Sequence, residues 1–226
     1  MRKLLYILLL SLFATELFSQ MVIPDSTFVS YVDSLHLWQE KVMSSDGRLY
    51  SVKYFSDSLL TIQELQEQYY YSNGRLKSEA KYKDGKLSGE VHSYYSDGRV
   101  RRSDTFEDGY LREGNCFATN GMKIAYTDYK KDAIYVGGVT ALYTIISVTA
   151  QQITLPDDEK VSGVVQVLLK LDRKGNIVDK YIVKGLHPLY DAEVLRIVGH
   201  FGRFEPEERD GEPVLGSYLL SIKFSM

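Results

Sequence analysis

The sequence predicts an α+β protein in two parts: an N-terminal antiparallel β-meander, then a ββαβ-type C-terminal domain with a preceding helix. Two observations carry this prediction. Between Tyr69 and Tyr129, turn dipeptides and aromatic residues recur on a fixed beat. From Ile134 onward, the apolar residues fall instead into one helical period, two strands, a second helical period and a last strand.

The beat of the first part is plain. Turn dipeptides fall at Asn73-Gly74, Asp84-Gly85, Asp97-Gly98, Asp108-Gly109 and Asn120-Gly121, and the aromatics Tyr70, Tyr82, Tyr94, Phe106 and Phe117 are spaced by twelve, twelve, twelve and eleven. Two beats make a unit of about 24 residues, as Tyr71-Ser72-Asn73-Gly74-Arg75-Leu76 and Tyr95-Ser96-Asp97-Gly98-Arg99-Val100 show. Asn-Gly and Asp-Gly favour tight hairpin turns because both residues tolerate positive φ, so strands of five or six residues between them predict a meander. Asp46-Gly47-Arg48-Leu49 reads as a degenerate first unit, and Leu59 to Gln66 fits helix and strand equally. The pattern resembles the variant MORN repeats, which imply a β-scaffold and say little about function.

In the second part, Gly137-Gly138 precedes a helical pattern with Val139, Leu142, Ile145 and Ile146 on one face. Gly163 opens an apolar strand to Leu171, Asp172 to Asn176 is a turn, and Ile177 to Lys184 reads as the returning strand. Asp191 is placed to cap a second helix, with Val194, Ile197, Val198 and Phe201 at i, i+3, i+4, i+7. In the last strand Tyr218, Leu220, Ile222 and Phe224 alternate against Ser217, Leu219, Ser221 and Lys223. Three strands with helices on one face leave an exposed edge, a template for adding another strand.

This succession resembles the C-terminal domain of the TonB family of energy transducers. The likeness rests on Gly137-Gly138, Gly163-Val164-Val165, Gly175-Asn176-Ile177, Asp191 to Arg196, Phe204-x-Pro206, Gly211-x-Pro213-Val214 and the final apolar strand. Leu155 departs from the pattern, which often has tyrosine there. The resemblance implies that an edge strand holds short extended segments of outer-membrane TonB-dependent transporters, or of another envelope protein. The strand that would do so here is Ser217, Tyr218, Leu219, Leu220, Ser221, Ile222, Lys223 and Phe224. A homodimer through the same domain is a further expectation. The five prolines stand singly, with no Pro-rich spacer, so the chain reads as a binding module and not as a self-sufficient transducer. The alternative is a structural or adaptor protein that binds through the repeat sheet.

Composition narrows the function classes. A net charge of −3 gives no electrostatic argument for nucleic acid. The histidines His36, His92, His187 and His200 are scattered and form no ligand motif, and Glu205 to Asp210 reads as a solvated charged loop. His200 suits the C-terminal end of the second helix, and the lone Cys116 reads as a small strand residue. No enzyme, metal or cofactor is expected.

The first residues are a separate matter. Arg2-Lys3, the apolar run Leu4 to Phe13 and a small residue at Ser19 have the layout of a secretory signal peptide, with an uncleaved inner-membrane anchor as the alternative. The domain reading is therefore 1–19 signal, 20–44 N-terminal segment, 45–130 repeat sheet and 134–226 C-terminal domain, in a periplasmic protein. N-terminal sequencing of envelope material should begin near Gln20; a membrane-pelleted chain retaining Met1 would instead indicate the anchor.

Overall fold

The computed structural model describes residues 26–150 and 161–224, the side chains of 149–150 excepted. The expected leader and the break at Pro156 lie outside them. The chain divides into two compact units, Met1–Ile124 and Ala125–Met226.

The first unit is a nine-stranded antiparallel sheet in strict sequence order. Its strands are β1 (Ser26–Val32), β2 (Leu37–Met43), β3 (Leu49–Phe55), β4 (Gln63–Tyr70), β5 (Leu76–Lys83), β6 (Lys86–Tyr94), β7 (Val100–Glu107), β8 (Tyr110–Phe117) and β9 (Lys123–Ile124). The sheet begins at Ser26, ahead of the expected start at 45. Two strands escaped the turn signal because the β1–β2 connection contains no Asn-Gly or Asp-Gly; His36, at φ 54°, makes the positive-φ bend instead. The ambiguous segment after Leu59 is a turn and then β4. Asp57 holds that turn by accepting from the backbone N–H groups of Thr61 and Ile62 at 2.9 and 2.8 Å.

The turns are of two kinds. At Asp84-Gly85 and Asp108-Gly109 both residues have positive φ, the two-residue hairpin expected from the dipeptide. At Gly47, Gly74, Gly98 and Gly121 the glycine alone does, and the preceding Asn or Asp does not. There the chain makes a three-residue loop: Gly74 N–H donates to Tyr71 O and Tyr71 N–H to Arg75 O, both near 2.9 Å, and Gly98 and Gly121 repeat the pattern. The sequence expectation of one turn type at all five dipeptides is therefore corrected, since a three-residue loop needs only one left-handed residue.

Bonds also run from unit to unit. Tyr71 and Tyr95 each donate a hydroxyl to a carbonyl 2.7 Å away in the following unit, at Tyr94 and Phe117. Arg48 and Arg75 donate to Ser72 O and Ser96 O at 2.6 and 3.2 Å, and Arg99 donates to Thr119 O. The next turn has Met122 at the arginine position and Ala118 at the tyrosine position, so this series ends there.

One face of the sheet is buried in continuous rows. Val42, Ser51, Tyr69, Ser78, Ser93, Arg102 and Cys116 are successive cross-strand partners, all at 5 % exposure or less. Beside them runs Lys53, Glu67, Ala80, Val91 and Asp104. Arg102 and Asp104, both fully buried, pair at 2.8 Å, and Asp104 also accepts from Asn115 N–H at 3.1 Å.

The second unit builds one apolar core on β12 (Gly163–Leu171), the central strand of a sheet ordered β13–β12–β17, with β13 at Ile177–Lys184 and β17 at Gly216–Phe224. Helices α1 (Gly138–Ala150) and α2 (Pro188–Val198) both contribute to that core. Short strands β10 (Lys130–Lys131), β11 (Ile134–Tyr135), β14 (Phe204–Glu205), β15 (Glu208–Arg209) and β16 (Glu212–Pro213) pair β11 with β14 and β10 with β15, and β15 with β16. Three of them lie between α2 and β17, so the succession is longer than a bare ββαβ. The unit also starts before the expected boundary at 134.

Three local readings change. In α1, Leu142 and Ile146 are buried, but Val139 and Ile145 are 53 % and 37 % exposed. This helix carries no charged residue, so its apolar period singles out no face. In α2, His187 is the N-cap and Pro188 takes the first turn, where its missing N–H costs nothing. Asp191 instead accepts from Leu186 N–H at 2.9 Å. Finally, the run Glu205 to Asp210 is not a solvated loop. Glu207, Arg209 and Asp210 are buried, with Arg209 and Glu207 paired at 2.5 Å.

Arg102→Met should lower stability by about 3–5 kcal/mol, because it strips the cation from a buried carboxylate. Denaturant unfolding of the full chain measures this; a loss below about 1 kcal/mol would mean that Asp104 is satisfied without Arg102.

Candidate functional site

The site begins with the register of β17. Nine consecutive residues pair with β12, from Gly216 opposite Leu171 to Phe224 opposite Gly163, without a shift. Among the described residues β17 has no strand on its other side. The opposite edge, β13, is built differently. Its register with β12 shifts at two places, and it carries Asp179, Lys180 and Lys184. Bulges and charges are what keep an edge from accepting a strand, and β17 differs from β13 in having no register shift and one charge, Lys223.

The eight expected site residues all lie on β17 and divide by the pleat. Leu220, Ile222 and Phe224 are buried in the core at 1, 2 and 8 % exposure, with Tyr218 half-buried beside them. Ser217, Leu219, Ser221 and Lys223 are exposed on the other face. There Leu219 is 48 % exposed and stands opposite Leu168, which is 2 % exposed and faces Tyr181 on β13. Sequence reading took Leu168 as one more residue of a buried run. Its place between Leu219 and Tyr181 shows only in the pairing.

Aromatic contacts fix both ends of the edge strand. Near its start Tyr218 meets Phe204 with ring centres 5.0 Å apart, and Phe204 meets Tyr135 at 5.3 Å. At its end Phe224 packs on Tyr190 of α2 at 4.5 Å. Burial, and then the neighbouring Tyr143, push the Tyr218 phenol above its ordinary pKa, so it stays a neutral hydrogen-bonding group well into the alkaline range. Gln166 donates to Ser221 Oγ at 3.2 Å on the exposed face. An edge held in this way is pre-ordered, and a strand that adds to it does not have to order both partners.

The β12–β13 turn supports the same frame. Asp172 accepts from the backbone of Lys174 and Asn176 at 2.8 Å each. Burial opposes its charge, but the side-chain and backbone bonds from Asn176 and the backbone bond from Lys174 hold its carboxyl below the usual value. Gly175, at φ 80°, lies against β14: Phe204 N–H donates to Gly175 O at 2.8 Å. Elsewhere, His200 Nδ1 lies 2.8 Å from Arg196 O at the end of α2, and no group of residues able to hold a metal ion occurs among the described residues. Among the same residues no helix is long and apolar enough to cross a membrane.

Residues 157–226 match the family model described as Gram-negative bacterial TonB protein C-terminal. The match covers α2 and the sheet and begins after α1, so Gly137-Gly138 lies outside it. A search of curated proteins finds no match. Among solved structures, an S. aureus TarM mutant in complex with fondaparinux, alpha-GlcNAc-glycerol and UDP aligns with 63 % of this chain at 11 % identity and a TM-score of 0.28. This chain spans 26 % of that protein, a likeness too slight to carry an argument.

Gly175→Ala should destabilise the C-terminal unit by about 3 kcal/mol or more, since it combines a strained φ with a backbone clash. A Cβ at this position would lie 1.8 Å from Phe204 O. Gly98→Ala is the control: its φ is also positive, but nothing lies within 4 Å of the new atom. It should cost only about 1 kcal/mol. Equal losses in thermal or denaturant unfolding would overturn the distinction.

Proposed function

We propose that this protein is an exported periplasmic binding protein whose C-terminal unit holds extended peptide segments by strand addition along Ser217–Phe224. The partners are outer-membrane TonB-dependent transporters or other envelope proteins of the same transport system. The observation that carries this reading is the unbroken nine-pair register of β17 against β12, its one neighbour among the described residues. The family match over residues 157–226 supports the choice of partner.

Strand addition draws affinity from main-chain hydrogen bonds and selectivity from alternate side chains. On one face an added strand lies beside Tyr218, Leu220 and Ile222. On the other it lies beside Leu219 and the short hydroxyls of Ser217 and Ser221, with Lys223 at the end. A segment with an apolar residue near Leu219 and a polar or acidic one near Lys223 fits best. The repeat sheet, MORN-like in its sequence pattern, serves as the scaffold of the exported protein.

Titrating the full chain with peptides from transporter N-terminal segments, followed by backbone amide shifts, tests the proposal. The shifts should concentrate at Ser217–Phe224. Adjacent residues of a strand point their N–H groups to opposite sides, so proline at Tyr218 and at Leu219 divides the two roles. One variant should stay folded and bind about tenfold more weakly or worse, through a lost ladder bond, while the other unfolds. Shifts confined to the repeat sheet would instead favour an adaptor that binds through its repeats.

A further inference from the structure

The two ends of the nine-stranded sheet are built differently. At one end the two-residue β9 covers only Cys116 and Phe117 of β8, and the uncovered length of β8 carries Arg112 and Glu113, charges that resist extension. β1 is seven residues long, contains no charge and no proline, and pairs with β2 over its whole length without a register shift. Phe28, Val29 and Tyr31 are 59, 47 and 46 % exposed, and no strand lies on the far side of β1 among the described residues. A long, regular, apolar edge of this kind is a template for another strand.

We infer that the occupant is β1 of a second copy, in an antiparallel pair centred on Val29. The chemistry of the edge selects this partner. With no charged side chain, β1 offers nothing to pair with a charged strand, and burying such a strand against it would cost desolvation without return. Both of its faces carry apolar groups, so the complement is an uncharged strand that is apolar on both faces. β1 meets that description itself. A two-fold axis at Val29 sets Phe28 opposite Ser30 and Thr27 opposite Tyr31, a large residue against a small one in each case, with no like charges facing. Thr27, Val29 and Tyr31 lie on the same face as Trp38, Glu40 and Val42, their partners on β2. The Tyr31 ring already packs 5.3 Å from Trp38. The second copy's Thr27 would cover the open side of Tyr31 and carry that face on into the partner sheet. The contact is isologous and closed, the commonest form of homodimer. It does not involve the β17 edge, so the dimer and the peptide site are tested separately.

Sedimentation of the full chain over a range of concentrations should show a two-protomer species. Val29→Lys places two lysines directly opposite each other, and like charges there are destabilising. The variant should sediment as one chain at every concentration, with the circular dichroism and melting temperature of the parent. Val29→Cys should form a disulfide-linked dimer on mild oxidation, because directly opposed strand residues lie within disulfide reach. Phe28→Cys, which faces Ser30, should not. The native Cys116 is buried and does not compete. A parent chain that is monomeric throughout, a dimer that survives Val29→Lys, or a Val29→Cys chain that fails to cross-link would each overturn the inference. If the lysine variant does not fold, the cysteine pair decides.

Discussion

Strand register does more for this molecule than any single contact, because the pleat gives every strand only two faces. A slip of one residue between β6 and β7 would turn Arg102 and Asp104 out to solvent and bring Arg101 and Ser103 inward. The rows Val42 to Cys116 and Lys53 to Asp104 exist because each turn returns the chain at the same phase. Turn lengths of two and three residues alternate, and the register shifts within strand pairs absorb the difference. The same condition governs the C-terminal unit, where the unshifted β12–β17 pairing places Leu220, Ile222 and Phe224 in the core, with no strand on the other side of β17 among the described residues.

Much of this was legible in the sequence, for definite reasons. Positive φ selects glycine strongly, so turns that use glycine announce themselves, and the meander from β4 to β9 could be counted before any coordinates. The β1–β2 bend uses His36 in that conformation, and the β3–β4 turn uses Leu60, with the side chain of Asp57 as its staple. Neither choice leaves a recognisable dipeptide. The charged stretch Glu205 to Asp210 misled for a related reason. Charge predicts solvent on average, but Arg209 and Glu207 satisfy each other inside, and Gly216 fits against Glu207 where a Cβ would come within 2.7 Å of its carboxylate.

The candidate site was legible in its parts and not in its position. Alternation along Ser217 to Phe224 marks a strand with one buried face, and that much needs no partner to be seen. Which strand lies at an edge is a matter of topology, and it rests on β12 taking the centre. Its apolar run from Val164 to Leu169, interrupted only by Gln166, is the sequence trace of a strand flanked on both sides. The contrast between a bulged, charged β13 and a regular β17 then separates the two edges, and it needed the register to be known. Leu168 shows the remainder: its cross-strand partners Leu219 and Tyr181 are distant in sequence and appear only with the pairing.

The forward-reaching bonds of the repeat sheet bear on how such a chain can change length. Tyr71 and Arg75 each complete the unit that follows them, and Tyr95 and Arg99 do the same one period later. Duplication or loss of one whole period between them would therefore leave every such donor with an acceptor of the same kind. A change by any other number of residues would strand them. With Met122 and Ala118 at the last turn the series has a terminator, so the array can gain or lose members from its interior while its final turn stays as it is. By these bonds the length that the sheet can add or lose without stranding a donor is the hairpin pair and not the residue.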